Sequence, residues 1–282
     1  MRWWQWPTVL SLDAPAVAVL WQRLLAEPAA VHVAGPQAFV LGASVWLAYA
    51  ADRWIEGWRL DPARIRTQRH EFYQRRRWPV ATGWLAVLAA DLAVALGELS
   101  RRDLLAGAAV LGPVLLYVLS HQLLHRHHAG RPPKEVCVAA LLGAGVAAFL
   151  LSAEGGGLRN VALLLALPLA LFVFLCFANC VLISVWEREI DRSHGQTSLA
   201  LAYAPTADWS RRLAWLLSIG AALAWFAAPP PARAAVACTA VSAFLLGCLD
   251  RAEPRLGWRL ARVLADAALL TPVVPLALRW LR

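Results

Sequence analysis

The sequence predicts an all-α, polytopic membrane protein of about nine transmembrane helices, and three observations carry that prediction. Hydrophobic residues make up 60% of the 282 positions and charged residues only 16%, against roughly 45–50% and about 25% in soluble domains. Mean hydropathy is positive, +0.54, and the apolar residues fall into runs of about 20, the length that crosses a bilayer core as a helix. The net charge of +9 sits between those runs, not on them. A soluble globule of this size cannot cover so much apolar side chain, so that class is excluded. A single transmembrane domain over residues 1–282 is the expected organisation.

The spans follow in order. The first, near 8–27, is the weakest, because Asp13 and Arg23 interrupt it. Asp13 and Pro15 also break the apolar region that a cleaved signal peptide would need. Later runs fall near 31–51, 78–99, 104–124, 136–153, 160–186, 211–228, 232–249 and 259–280. With the N-terminus inside, 20 of the 27 basic residues lie in inner segments and six in outer ones. That bias satisfies the positive-inside rule and places the C-terminus outside. Trp54, Trp58, Trp78, Trp186, Trp209 and Trp258 sit at span ends, as aromatic belts do. The basic excess therefore reads as topology, with the lipid bilayer as partner and no nucleic acid. Of the 27 basic residues only Lys134 is a lysine, a compositional hint of a bacterial inner membrane. Five cysteines, none in a CxxC pair, indicate neither zinc ribbon nor disulfide framework.

The acids are scarce and patterned. The second span runs out into Asp52 and Glu56, the sixth into Glu187 and Asp191. Each pair is spaced i, i+4 and so shares one helix face. Asp52 to Glu187 and Glu56 to Asp191 are both 135 residues apart, which suggests a four-helix pseudo-repeat that brings the two acidic ends together. Four converging carboxylates repel one another unless cations intervene, and hard divalent ions such as Mg²⁺ accept carboxylate oxygens while keeping positions open for phosphate. Arginine-rich inner segments supply the side chain suited to bidentate phosphate contacts. Acids and arginines at the mouth of a helical bundle predict a metal–diphosphate site with Asp52, Glu56, Glu187 and Asp191 as catalytic metal ligands. The alternative is that these four are solvated residues paired with neighbouring arginines.

On these residues the chain resembles the UbiA superfamily of intramembrane prenyltransferases, over nearly its full length. That family carries two Asp-rich motifs, NDxxDxxxD and DxxxD, at the inner ends of its second and sixth helices. Here the first reads Ala48-Tyr49-Ala-Ala-Asp52-Arg-Trp-Ile-Glu56, with Ala48 and Tyr49 where the family has Asn and Asp. The second reads Glu187-Arg-Glu-Ile-Asp191, followed by Gly195 and Ser198-Leu-Ala, similar to the family's continuation. Tyr117-Val-Leu-Ser-His121 resembles the family's Tyr-x-x-x-Lys. The resemblance implies transfer of a prenyl group from a prenyl diphosphate to an aromatic or other lipophilic acceptor. It implies Mg²⁺ on the four acids, and diphosphate contacts from Arg53, Arg69, Lys134 and Arg192, with Tyr117 and His121 donating. Asn179, about two turns above Glu187, would orient the acceptor or bond to a neighbouring helix. A second function stays open, in which a catalytically divergent UbiA-like protein binds a lipid diphosphate or partner without transfer.

Two further features stand apart from these motifs. His121, His125, His127 and His128 cluster but lack the matching boxes of a membrane di-iron enzyme, and read as a headgroup-facing loop. Asp13, Asp91 and Asp266 lie within spans, where acids are expensive. An ion-coupled transporter would use such acids, but the sequence lacks matched helix breaks in two halves.

Overall fold

The computed structural model describes residues 2–59, 67–120, 133–153 and 158–281. Every regular element among them is helical. After a 3₁₀ turn at Trp3–Gln5 come α1 (Trp6–Val9), α2 (Asp13–Ala26), α3 (Gly35–Arg59), α4 (Gln68–Arg75), α5 (Arg77–Glu98) and α6 (Arg101–Leu119). There follow α7 (Lys134–Ser152), α8 (Leu158–Trp186), α9 (Arg188–Ser193), α10 (Leu199–Ala202), α11 (Thr206–Ala227), α12 (Arg233–Leu256), α13 (Trp258–Ala268) and α14 (Val273–Trp280). Helices of this kind satisfy their backbone groups internally, the condition for crossing lipid.

Five of these helices are long and apolar enough to cross a membrane, and two bent pairs raise the number to seven. The pairs are the N-terminal segment with α2, bent by 72°, and α13 with α14, bent by 44°. At 25 and 22 residues, α3 and α11 are long enough but less apolar. With them, the described residues hold the nine long segments that the sequence predicts. Ser11 makes the first bend by adopting φ 58°, a left-handed conformation uncommon outside glycine. Pro272 caps α14 and helps end the last span's first half.

Packing runs around a closed ring. Helix α2 meets α3, α3 meets α5, α6 meets α7, α7 meets α8, and α8 meets α11 and α12. Helix α12 packs on α11 and α13, and α13 returns to α2. Trp21 seals that closure: it is fully buried, stacks on Phe172 with centroids 4.7 Å apart, and donates its indole N–H to the Leu269 carbonyl at 2.9 Å. The acceptor is available because the bend after α13 releases it from the helical ladder. Close helix approach uses small residues, as membrane interfaces do. A Cβ on Gly247 would lie 2.6 Å from the Trp215 ring, and one on Gly143 would overlap Val173.

Only 6% of the apolar windows of α5 and α6 is buried, against 44% for α7, 39% for α8 and 50% for the helix ending at Leu256. The exposed faces of α5 and α6 carry Leu85, Leu92, Leu96, Leu105, Leu111 and Leu116. Such a patch is a liability in water and an ordinary outer surface in lipid. At one end of these two helices Ser100 and Asp103 form a reciprocal cap, and Ser152 at the end of α7 donates to the same carboxylate at 2.5 Å. The other end of the bundle carries the acidic motifs.

Candidate active site

Helix α3 does not stop where its apolar run ends. It continues to Arg59, so Asp52 and Glu56 project from a rigid helical extension. Helix α8 ends at Trp186; Glu187 is the N-cap of α9, and its carbonyl accepts from the Asp191 N–H at 2.9 Å. Both acidic pairs are thus held on helical backbone. They open onto one cavity of about 500 Å³, which Asp52, Glu56, Glu187 and Asp191 all line.

Arg53, Arg69, Tyr117, Lys134 and Asn179 line the same cavity. Arg192 is not among its walls; it lies on the surface in an ion pair with Glu189 at 2.7 Å. It directly follows Asp191, and so points about 100° around the helix from the face that carries that acid. The Arg53 guanidinium is drawn toward the N-terminal segment, where it donates to the Thr8 carbonyl and to Ser11 Oγ at 2.8 Å. His121 and its companions His125, His127 and His128 lie outside the described residues.

Basic side chains meet the acids directly. Glu187 Oε2 accepts from Arg69 Nη2 at 3.1 Å and from Arg262 Nη1 at 2.5 Å. Burial alone would raise this carboxyl, but Arg262 and Arg69 outweigh it and hold it down at about 2. Lys134 Nζ stands 3.4 Å from Asp191 Oδ2. Glu56 Oε2 lies 2.9 Å from Nε2 of the fully buried His70, whose Nδ1 faces Thr67 Oγ1 at 2.5 Å. Burial pulls His70 down to about 4, more than the Glu56 hydrogen bond restores. The imidazole is therefore neutral at pH 7, donating from Nε2 to Glu56 and accepting the Thr67 hydroxyl at Nδ1. The cations that converging carboxylates require are thus in part the chain's own, which replaces the sequence argument that a metal must supply them all.

Charge is not exhausted by these pairs. One carboxylate between two guanidinium groups leaves a local positive excess, and the crowding of Arg262 on Arg69 adds to burial in lowering Arg69 from its ordinary value. Several buried donors around the cavity have no partner: Arg69 Nε, Arg262 Nε, Gln196 Nε2 and Ser198 Oγ. Buried donors of this kind are unusual unless a ligand or water meets them. An anion with several oxygens suits them.

No protein-family model matches the sequence, and no curated protein matches it. Among solved structures, the apo structure of a UbiA homolog from Aeropyrum pernix K1 superposes with a TM-score of 0.61 at 17% identity, covering 96% of this chain and 98% of that one. The fold is UbiA-like. At that identity the likeness concerns the arrangement of helices and not the chemistry.

In this UbiA-like bundle the structure adds residues that the sequence reading did not single out as a site. Arg262 makes the shortest contact to Glu187, although in the sequence it reads only as an orienting charge. Its spacing to Asp266, i, i+4 inside an apolar run, was the available signal. Glu135, 2% exposed, accepts from the Leu199 N–H at 3.0 Å and so holds the start of α10 beside the cavity. Asp13 and Asp266 line the cavity too.

Proposed function

We propose that this UbiA-like membrane protein is a prenyltransferase, moving a prenyl group from a prenyl diphosphate to an aromatic or other lipophilic acceptor. The observation that carries the proposal is the set of unpartnered donors on Arg69, Arg262, Gln196 and Ser198 around a cavity that also holds four carboxylates. The diphosphate would lie against Arg69, Arg262 and Lys134, with Ser198 donating. Tyr49, Tyr117, Val17, Leu142, Ile183 and Leu269 line the rest of the chamber, an apolar and aromatic wall suited to an allylic cation that water must not reach. The mouth lies at the acidic end, which the arginine distribution places on the cytoplasmic side.

Mg²⁺ fits the donor set. Asp52, Glu56, Glu187 and Asp191 offer only hard oxygen ligands, and Glu187 Oε1 is buried without a partner. Among the described residues no three acids, cysteines or histidines are already gathered around one point, so an ion would be completed by the ligand's own oxygens. Bound there, Mg²⁺ would neutralise charge on the diphosphate leaving group.

The pairing of Glu187, Asp191 and Glu56 with basic side chains favours a second reading. In it the arginines hold a lipid diphosphate without metal and without transfer. Purified protein incubated with Mg²⁺ and a panel of prenyl diphosphates separates the two. Mg²⁺-dependent diphosphate release that disappears in Asp52→Ala and Asp191→Ala supports the transferase. Binding unchanged by EDTA, with no release for any donor, supports the second reading instead.

A further inference from the structure

A second polar cluster lies deeper in the same cavity, and neither the acidic motifs nor the diphosphate donors account for it. Asp13 begins α2, Asn179 stands in α8 and Asp266 in α13, so three helices converge on it. Asn179 Nδ2 donates to Asp266 Oδ1 at 3.1 Å. Asp13 Oδ1 accepts from the Ala14 N–H at 2.9 Å, and Asp13 Oδ2 is buried without a partner. Asn179 is only 6% exposed, and its Oδ1 has no partner although it lines the cavity. Asp266 follows Arg262 by four residues on α13, which sets it about 6 Å deeper than the arginine that holds Glu187.

The contrast with the mouth of the cavity is one of sign. There, donors on Arg69, Arg262, Gln196 and Ser198 lack partners, alongside the carboxylate oxygens Glu187 Oε1 and Glu135 Oε2. At the deep end the groups of this cluster that lack a partner, Asn179 Oδ1 and Asp13 Oδ2, are both acceptors, while Arg262 Nη1 is turned to Glu187 and Arg53 to Thr8 and Ser11. Two acids set against each other inside a membrane bundle are expensive to keep. An ionised carboxylate there accepts a donor hydrogen or a proton.

We propose that Asp13, Asp266 and Asn179 form the acceptor end of the cavity: they hydrogen-bond the hydroxyl group of a neutral lipophilic acceptor and take up the proton it loses. This rests on the transferase reading. In the step, the C1–O bond of the prenyl diphosphate breaks and its electron pair leaves with the diphosphate. A ring carbon or the oxygen of the acceptor forms the new bond to C1. The displaced proton passes to the Asp13 or Asp266 carboxylate, which becomes a neutral carboxyl. Asn179 Oδ1 accepts from the hydroxyl and fixes its direction. The same groups disfavour an acceptor whose polar end is a carboxylate, because the two aspartates and Asn179 Oδ1 would repel it.

The probes are 2-naphthol, its methyl ether 2-methoxynaphthalene, and 2-naphthoate, each measured by equilibrium binding to the full chain in phospholipid nanodiscs. Farnesyl diphosphate binding is measured on the same samples. Naphthol should bind about tenfold more tightly than the ether or the naphthoate, the worth of one buried hydrogen bond. Asn179→Leu and Asp266→Asn should erase that preference while leaving farnesyl diphosphate binding unchanged, and Asp13→Asn serves if Asp266→Asn does not fold. With turnover, Asn179→Leu should act mainly on the acceptor KM and Asp266→Asn mainly on kcat. Equal binding of naphthol and its ether to the wild type overturns the proposal, as does an undiminished preference in the folded variants. Failure of farnesyl diphosphate to bind the wild type would instead remove the transferase reading, and the naphthol preference would still decide the role of the cluster as a hydroxyl site.

Discussion

Glu187 concentrates the electrostatics of this protein in one side chain. It is 4% exposed and sits between Arg69 and Arg262, and buried ion pairs are more easily broken than improved. Arg262→Ala leaves Arg69 as its partner and should lower stability by about 1–3 kcal/mol, read as a fall in melting temperature in detergent. His70 gives a pH dependence. Its folded value, about 4, lies below its ordinary 6.5, so the unfolded chain binds the proton more tightly. Its contribution is whole above pH 6.5 and is lost as pH falls toward 4. Glu187, held at about 2 against an ordinary 4.5, adds a loss below pH 4.5, also on the acid side. In EDTA, melting temperature should therefore decline from pH 6.5 downward, and His70→Gln should flatten the stretch between 6.5 and 4. A flat wild-type curve over that stretch contradicts the burial argument for His70.

At the scale of elements, what the sequence made legible was whatever hydropathy and charge encode. The runs near 78–99, 136–153 and 160–186 became α5, α7 and α8 with ends shifted by two residues or fewer, because apolar length is read off composition. The two acidic pairs were legible from spacing alone, and helix continuation through Glu56 and the α8–α9 join carries them to one cavity. The bends were not legible. Ser11 takes its left-handed φ while its Oγ contacts Tyr73 Oη at 2.9 Å, a partner 62 residues away. Arg53 is claimed by Thr8 and Ser11 across that same bend, which no local pattern reveals. The ring closure at Trp21 was hidden too, since its acceptor is 248 residues distant. Trp21→Phe keeps most of the apolar volume but strands the Leu269 carbonyl, and should cost about 1–2 kcal/mol. Trp21→Ala should cost about 3–5 kcal/mol through the cavity it leaves. Equal melting temperatures for wild type and Trp21→Phe would show that the indole hydrogen bond does not close the ring.

For the whole molecule, the bundle divides into a lipid-facing side at α5 and α6 and a packed side at α7, α8 and α12, of which α7 and α8 wall the cavity. The arginine excess that pervades the composition does two different jobs. By the positive-inside expectation most of it would orient the chain, and a reporter fused after Arg282 should then lie on the outer side; an inner signal contradicts a nine-segment topology with the N-terminus inside. A few arginines instead belong to the site, and the sequence does not say which, because Arg192 and Arg262 look equally suited to phosphate until the helices are assembled. That distinction gives the most direct test of the central claim, that the cavity at the acidic end holds a diphosphate. Farnesyl diphosphate binding should weaken about tenfold or more in Arg262→Ala and Lys134→Ala, each removing a charge-assisted contact, and stay unchanged in Arg192→Ala. If Arg192→Ala weakens binding as much as Arg262→Ala, or if folded Arg262→Ala and Lys134→Ala bind as the wild type does, the cavity is not the diphosphate site.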